Sequence, residues 1–371
     1  MKKLVSLLLT AAFVVSCLVG CGGGETAKGF EIALITDKGN IDDKSFNQGA
    51  WEGVVAYAKA NGNKTHQYYK PEDTSDEGYL KSIDLAVQGG AKVVVCPGYL
   101  FESAVHTAQT KYPDVKFIIL DGAPHAAADG SPIEIAANTA SIMYAEEEAG
   151  YLAGYAAVVE GYKTLGFEGG MAVPAVAAFG YGYLQGIEAA AKELGYADGS
   201  VTVYYHYTGD FAENDANKAT ASAMIASGAE VIFGCGGSVG KSVFAAAAEG
   251  NIKSIGVDVD QKADSDTVIT SAMKGLGASV QAVLDAVYTD KFAEYGGKTT
   301  YFAAANNGVS LPDDFSRFTK FDKAAYDAVY KTLAEGTVDP VRSFEIADAA
   351  AVTAEQLQKE LNLVKVKVVK R

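Results

Sequence analysis

From residue 30 onward the apolar residues come in short continuous runs. They are FEIALITD (30–37), KVVVCPG (92–98), KFIILD (116–121), IEIAANT (133–139), TLGFEGG (164–170), VTVYYHYTG (201–209), EVIFGCG (230–236) and KSIGVDVD (253–260). All are rich in Val, Ile, Phe and Tyr and bounded by Gly, Asp or Pro, so they predict strands. Between most of them, apolar residues recur at helical spacing, as in FNQGAWEGVVAYAKANG, YGYLQGIEAAAKELG and SVFAAAAEG. Several of these segments close on a glycine, as a helix C-terminus does. Continuous apolar strands alternating with helices predict an α/β fold with parallel sheets covered on both faces.

The alternation occurs twice, from about 30 to 121 and from about 164 to 258, joined by the helix-like YAEEEAGYLAGYAAVVEGY. A chain of 371 residues is too long for one ordinary core. Two doubly wound, Rossmann-like lobes are therefore expected, with a cleft at the carboxyl ends of their strands, where ligands bind in this architecture.

Several residues stand at those strand ends. Asp37, Asp121 and Asp258 each follow an apolar run, and each alone is as well read as a cap or turn residue. All three at one rim favour a polar ligand, because carboxylates accept hydrogen bonds from hydroxyls and ring N–H groups. In GNIDDKSFNQGAWEG (39–53), Ser45 and Gln48 have capping-box spacing, which makes Ser45 the expected N-cap and Phe46 the first helical residue. Phe46 then tops the buried stripe of Ala50, Val54 and Ala58, where it either closes the core or faces the cleft. Asn47 beside it both donates and accepts. Phe211 follows a strand end in the second half, before a helix expected near Ala212, in a place that mirrors Phe46. Two such rings facing each other would clamp a flat group, although either alone packs equally well in a core. Gly237 belongs to GCGGSVGKS (234–242), a strand-to-helix turn that resembles a phosphate loop; Cys235 stands where that motif needs glycine, so the match fails.

Charge and composition narrow the partners. The net charge of −15 disfavours nucleic acid. Residues 1–20 read as a lipoprotein signal peptide, with Lys2 and Lys3 before an apolar run that ends in Leu18-Val19-Gly20-Cys21. Cys21 is the expected lipidation site, preferred over Cys17 inside the apolar run. Residues 21–29 would be a flexible tether spanning about 15 Å. This places the protein on the extracytoplasmic face of the cell membrane. Cys96 and Cys235 lie in apolar runs and read as buried free thiols. The four histidines show no metal-ligand spacing, and neither metal nor cofactor is expected. Apart from Lys274, no basic cluster is evident at the cleft.

The pieces DKGNIDDKSFNQGAWEG, GDFAENDANKATASAMIASGAEVIFGCGGSVG, IGVDVDQ and VITSAMK resemble the basic membrane protein family over nearly the whole mature chain. The resemblance implies a type I periplasmic-binding-protein fold, no enzymatic activity, and a purine nucleoside ligand delivered to an ABC transporter permease. By that likeness Phe46 and Phe211 would sandwich the base, and Asp121, helped by Asn47, would bind its edge. Asp258 and Lys274 would hold the ribose, Gly237 would offer backbone contact, and Asp37 would lie at the rim. The likeness also implies an N-terminal lobe of 30–142 plus 267–295 and a C-terminal lobe of 143–266 plus 296–371. A monomer is expected.

Other readings compete with this one. A sugar or another small polar molecule on the same fold would use the same residue types. A ligand-sensing surface lipoprotein would need no permease. A nucleoside hydrolase could draw on Asp37, Asp42 and Asp43, although these read well as a turn into a capped helix. The tail LVKVKVVKR is either an edge strand or a mobile end near the anionic membrane.

Overall fold

The computed structural model describes residues 30–126, 133–344, 346, 348–359 and 361–370; the signal segment, Cys21 and the tether lie outside them. The first sheet contains β1 (Ile32–Ile35), β2 (His66–Tyr69), β3 (Val93–Pro97), β4 (Lys116–Leu120) and β5 (Thr139–Tyr144). The second contains β6 (Thr164–Gly169), β7 (Val201–Tyr207), β8 (Val231–Cys235), β9 (Lys253–Asp258) and β10 (Val268–Lys274). Then come β11 (Lys298–Phe302), β12 (Val309–Ser310) and β13 (Val364–Val368). The sheet orders are β11-β5-β4-β3-β1-β2 and β12-β10-β9-β8-β6-β7-β13. Every pairing is parallel except β10 with β12. Within each lobe the strands run in the doubly wound order 2-1-3-4-5, which puts the switch point beside the first strand.

The helices are α1 (Phe46–Ala60), α2 (Asp76–Gln88), α3 (Glu102–Lys111), α4 (Glu146–Glu160) and α5 (Pro174–Glu193), followed by α6 (Asp215–Ala226), α7 (Val239–Gly250), α8 (Leu276–Tyr288), α9 (Lys323–Ala334) and α10 (Ala354–Gln358). They cover the sheets because the central strands are buried on both faces: β1, β3 and β8 have no residue left to solvent. The closest helix contact is α4 on α5. A Cβ on Gly150 would stand 2.1 Å from the Phe179 carbonyl oxygen, and one on Gly182 would stand 2.0 Å from that of Glu147. Only glycine admits this approach, and it fixes the N-terminal ends of both helices beside the cleft.

The lobe boundaries differ from those the resemblance implies. Val268–Lys274 lies in the second sheet, paired with β9, and Lys298–Phe302 lies in the first, paired with β5. Only α8 of the excursion behaves as expected: it packs on α1, where Gly53 and Gly277 meet. The chain therefore crosses near 145, 275 and 303, rather than near 142, 266 and 296. Each crossing follows the last ladder bond of a strand, which the apolar runs alone do not mark.

One further expectation changes, and one open alternative is decided. IEIAANT precedes its strand: Asn138 donates its amide to the carbonyls of Gln109, Tyr112 and Val115 at 3.1, 3.1 and 3.0 Å, holding a turn, and β5 begins at Thr139. The tail is an edge strand, with Val364 and Val366 buried and Lys365 and Lys367 outward. Cys96 and Cys235 are free and buried.

Candidate functional site

A cavity of about 310 Å³ lies between the lobes, and all eight residues singled out for ligand contact line it. Three stand at strand ends. Asp37 comes two residues after β1, Asp121 directly follows β4, and Asp258 is the last residue of β9; β4 and β9 are the fourth strands of their lobes. Asp121 and Asp258 are thus equivalent positions, and both take the left-handed conformation, φ 57° and 66°. That conformation is disfavoured for a residue with a Cβ, and it turns each carboxylate off the strand axis toward the cleft.

The aromatic pair is less symmetric than its sequence setting suggests. Phe46 opens α1, after the first strand of its lobe. Phe211 lies after β7, the second strand, in a loop that runs on to Asn214, the N-cap of α6; the helix starts at Asp215, not near Ala212. The true counterpart of the α1 start is the start of α5, which contributes Val173, Val176 and Phe179 to the wall. Phe211 is set by glycines: a Cβ on Gly170 would meet its ring at 2.5 Å and one on Gly237 its Cβ at 3.0 Å. Its carbonyl accepts from Ser238 N–H at 3.0 Å, which pins it to the α7 entry. The lack of a side chain at Gly237 thus leaves room for Phe211.

Ser45 is the N-cap residue and Phe46 the first of α1, as expected, but the capping side chain is different. Asp43 supplies it, accepting from the N–H groups of Ser45, Asn47 and Gln48 at 2.8, 3.1 and 3.1 Å. Gln48 reaches back to Lys44 N–H at 3.1 Å. The Ser45 hydroxyl, released from capping, donates to Asp258 across the cleft. Gln261 likewise donates to the Lys44 carbonyl at 2.7 Å, so both lobes grip the α1 entry. Asn47 is a brace: its amide nitrogen donates to Asp37 at 2.8 Å and to Asp43 at 2.9 Å, and its oxygen accepts from Asp37 N–H at 3.1 Å. Both its donors are therefore occupied, and a helping contact to a ligand is left only to the oxygen.

Charge is unevenly distributed. The Lys274 ammonium is buried, pairs with Asp121, and lies 3.0 Å from Glu146 and 3.9 Å from Asp258. The rings of Phe46, Phe179 and Tyr144 stand 4.9, 5.2 and 5.4 Å from it. Burial alone would lower its pKa, but Asp121, Glu146 and Asp258 hold it above the usual range. Burial pushes Asp37 up to about 6. It pushes Asp121 up to about 7 despite Lys274, and raises Asp258 as well. Glu146 stays below the usual range because Lys274 and Arg342 offset its burial. Asp121 Oδ1 is buried without a hydrogen-bond partner among the described residues. Inner acids thus outnumber inner cations, and a ligand rich in N–H and O–H donors meets this demand.

The sequence reading missed part of the site. Lys38, Lys70 and Lys241 also line the cavity, so its wall is not free of basic residues beyond Lys274. Glu146, behind Lys274, was missed as well; the run of three acids at the start of α4 was its only sequence signal. Among the described residues, no group of three or more His, Cys, Asp or Glu side chains is arranged to hold a metal ion.

Two doubly wound lobes enclosing a polar and aromatic cavity make up the type I periplasmic-binding-protein fold. A solved ABC transporter solute-binding protein from Aeropyrum pernix K1 shares the fold, with TM-score 0.68 and 22% identity over 90% of this chain and 91% of that one. Residues 30–335 match the family Bmp, described as ABC transporter substrate-binding protein PnrA-like, and the chain belongs to that family. The family consists of substrate-binding proteins, not enzymes. The ABC transporter nucleoside-binding protein BmpA of Lactococcus lactis is 30% identical, over 84% of this chain and 91% of that protein. Basic membrane protein A of Borreliella burgdorferi is 31% identical, over 76% and 78%.

Proposed function

We propose that this protein captures purine nucleosides such as inosine, guanosine and adenosine and delivers them to an ABC transporter permease. The observation that carries the reading is the pairing of two aromatic side chains with an excess of buried carboxylates in one cavity. A purine nucleoside offers flat faces to Phe46 and Phe211, an N–H edge to Asp121, and ribose hydroxyls to Asp258 and Lys274. Stacking contributes about 1–3 kcal/mol per base in nucleic-acid complexes, and a similar gain is expected here. A free base would leave the sugar-facing groups unpaired, which disfavours it. The nucleoside-binding name of the Lactococcus lactis relative points the same way.

Delivery requires the monomer to stay near its permease. In this reading Cys21 carries the lipid and residues 21–29 hold the globule just off the membrane, on its extracytoplasmic face. Thermal-shift screening with nucleosides, bases, nucleotides and sugars tests the ligand class. Stabilisation by inosine or guanosine is expected. Stabilisation by ribose or glucose alone would overturn the reading, and release of free base from inosine would revive a hydrolase.

A further inference from the structure

Lys274 enters the cavity anchored from behind. Its inner partner, Glu146, is 1% exposed. Glu146 Oε1 lies 3.0 Å from Lys274, and Oε2 lies 2.5 Å from Arg342 Nη1. Arg342 is not part of the cavity wall, and it falls beyond residue 335, where the family match ends.

The segment around Arg342 is clamped to α5 on both sides. Gln185 brackets Val341, donating to its carbonyl and accepting from its N–H, both at 2.8 Å. Phe344 stacks on Tyr181 with centroids 4.9 Å apart and planes 17° apart. Arg342 Nη1 is thereby aimed at the first lobe crossing. It donates to the Tyr144 carbonyl at 2.8 Å and to Glu147 Oε2 at 2.7 Å. The wall-lining end of the same α5 carries Val176 and Phe179, so one helix holds both the cavity wall and this clamp.

A lysine ammonium is a compact charge on a flexible stem, and it settles where the surrounding acids place it. Here three acids compete for it. Arg342 neutralises Glu146 from the far side and leaves Lys274 to Asp121 and the ligand. Without Arg342, Glu146 would be a buried carboxylate with Lys274 as its one remaining cation among the described residues, and would draw the ammonium inward.

We infer that Arg342, supplied by the segment after the family-matched region, is a positioning residue of the ligand site: acting through Glu146, it holds the Lys274 ammonium at the cavity wall. The inference rests on the nucleoside reading for its binding probe, and has a second readout that needs no ligand. The charged groups facing Asp121 are Lys274 from β10, Glu146 from α4, Asp258 from β9 and, behind Glu146, Arg342.

The test compares wild type, Arg342→Met, Arg342→Lys and Glu146→Gln as full mature chains. Inosine affinity is measured by calorimetry, and apo melting temperature is followed from about pH 5.5 to about pH 8. Arg342→Met is expected to weaken inosine binding about tenfold or more, by analogy with the loss of outer partners that orient metal ligands. Arg342→Lys is expected to recover most of that loss. Glu146→Gln removes a negative charge that raises Asp121, so the acidic midpoint of binding moves down. The fall in apo melting temperature with rising pH also shrinks. If Arg342→Met does not fold, Arg342→Lys and Glu146→Gln decide the matter. Folded Arg342→Met and Glu146→Gln with wild-type affinity and pH profile would overturn the inference. If wild type binds no inosine, the nucleoside reading falls; an apo pH profile unchanged in Glu146→Gln would then overturn the inference independently.

Discussion

Replacing Lys274 by Met tests the electrostatics of the inner site. Met keeps much of the aliphatic stem and removes the charge that Asp121, Glu146 and Asp258 share. Breaking a buried ion pair from one side costs about 3–5 kcal/mol, because the remaining charge is uncompensated. The cost depends on pH. Asp121 already sits at about 7 in the folded protein against 3.8 in an ordinary setting. Its folded state therefore binds more protons, and this stabilisation is lost as pH rises through that window. Without Lys274 the carboxyl rises further and takes up a proton at neutral pH, which relieves the penalty. Lys274→Met should lose more near pH 8 than near pH 5.5, as read by melting temperature at fixed ionic strength. An equal loss at both pH values would refute the electrostatic argument and leave only packing of the stem. An unchanged melting temperature near pH 8 would refute the pairing itself.

Phe46→Ala and Phe211→Ala should each weaken inosine binding by about 1–3 kcal/mol in calorimetry while the protein stays folded; unfolding instead would make those rings core residues. Asp43→Ala removes the acceptor of three backbone N–H groups at the start of α1, so chemical denaturation should show a loss of about 1–2 kcal/mol. Nucleoside affinity should fall on acidification as Asp37 and Asp121 take up protons around 6 and 7 and stop accepting from the ligand. Apo stability should move the opposite way over the same range, and parallel slopes for the two would contradict the carboxylate roles.

Much of the fold was legible because buried parallel strands write themselves as unbroken apolar runs. β3, β4, β6, β7, β8 and β9 all fall where KVVVCPG, KFIILD, TLGFEGG, VTVYYHYTG, EVIFGCG and KSIGVDVD predict them. His66–Tyr69 escaped notice because β2 is an edge strand with no buried position, and HQYY has no apolar run. The lobe crossings were misplaced because sheet membership is decided by pairing over long sequence separations. Val268 meets Ser254 and Lys298 meets Ala140, which no local pattern announces.

The site was legible where it sits on strand ends. Asp37, Asp121 and Asp258 reach the cavity because β–α turns in this architecture all open on one side. The division of labour among neighbours was not legible. Asp43 supplies the capping side chain in place of Ser45 because Asp258, some two hundred residues away, takes the serine hydroxyl. Lys38, Lys70, Lys241 and the Glu146–Arg342 pair come from stretches far apart in the chain, which no local pattern links.

Isothermal calorimetry of the purified, unlipidated chain with inosine, hypoxanthine, ribose and inosine 5′-monophosphate tests the central claim most directly. Inosine should bind at micromolar affinity or better, which corresponds to about −8 kcal/mol, and more tightly than either of its halves. Ribose binding with no heat from inosine would contradict the account.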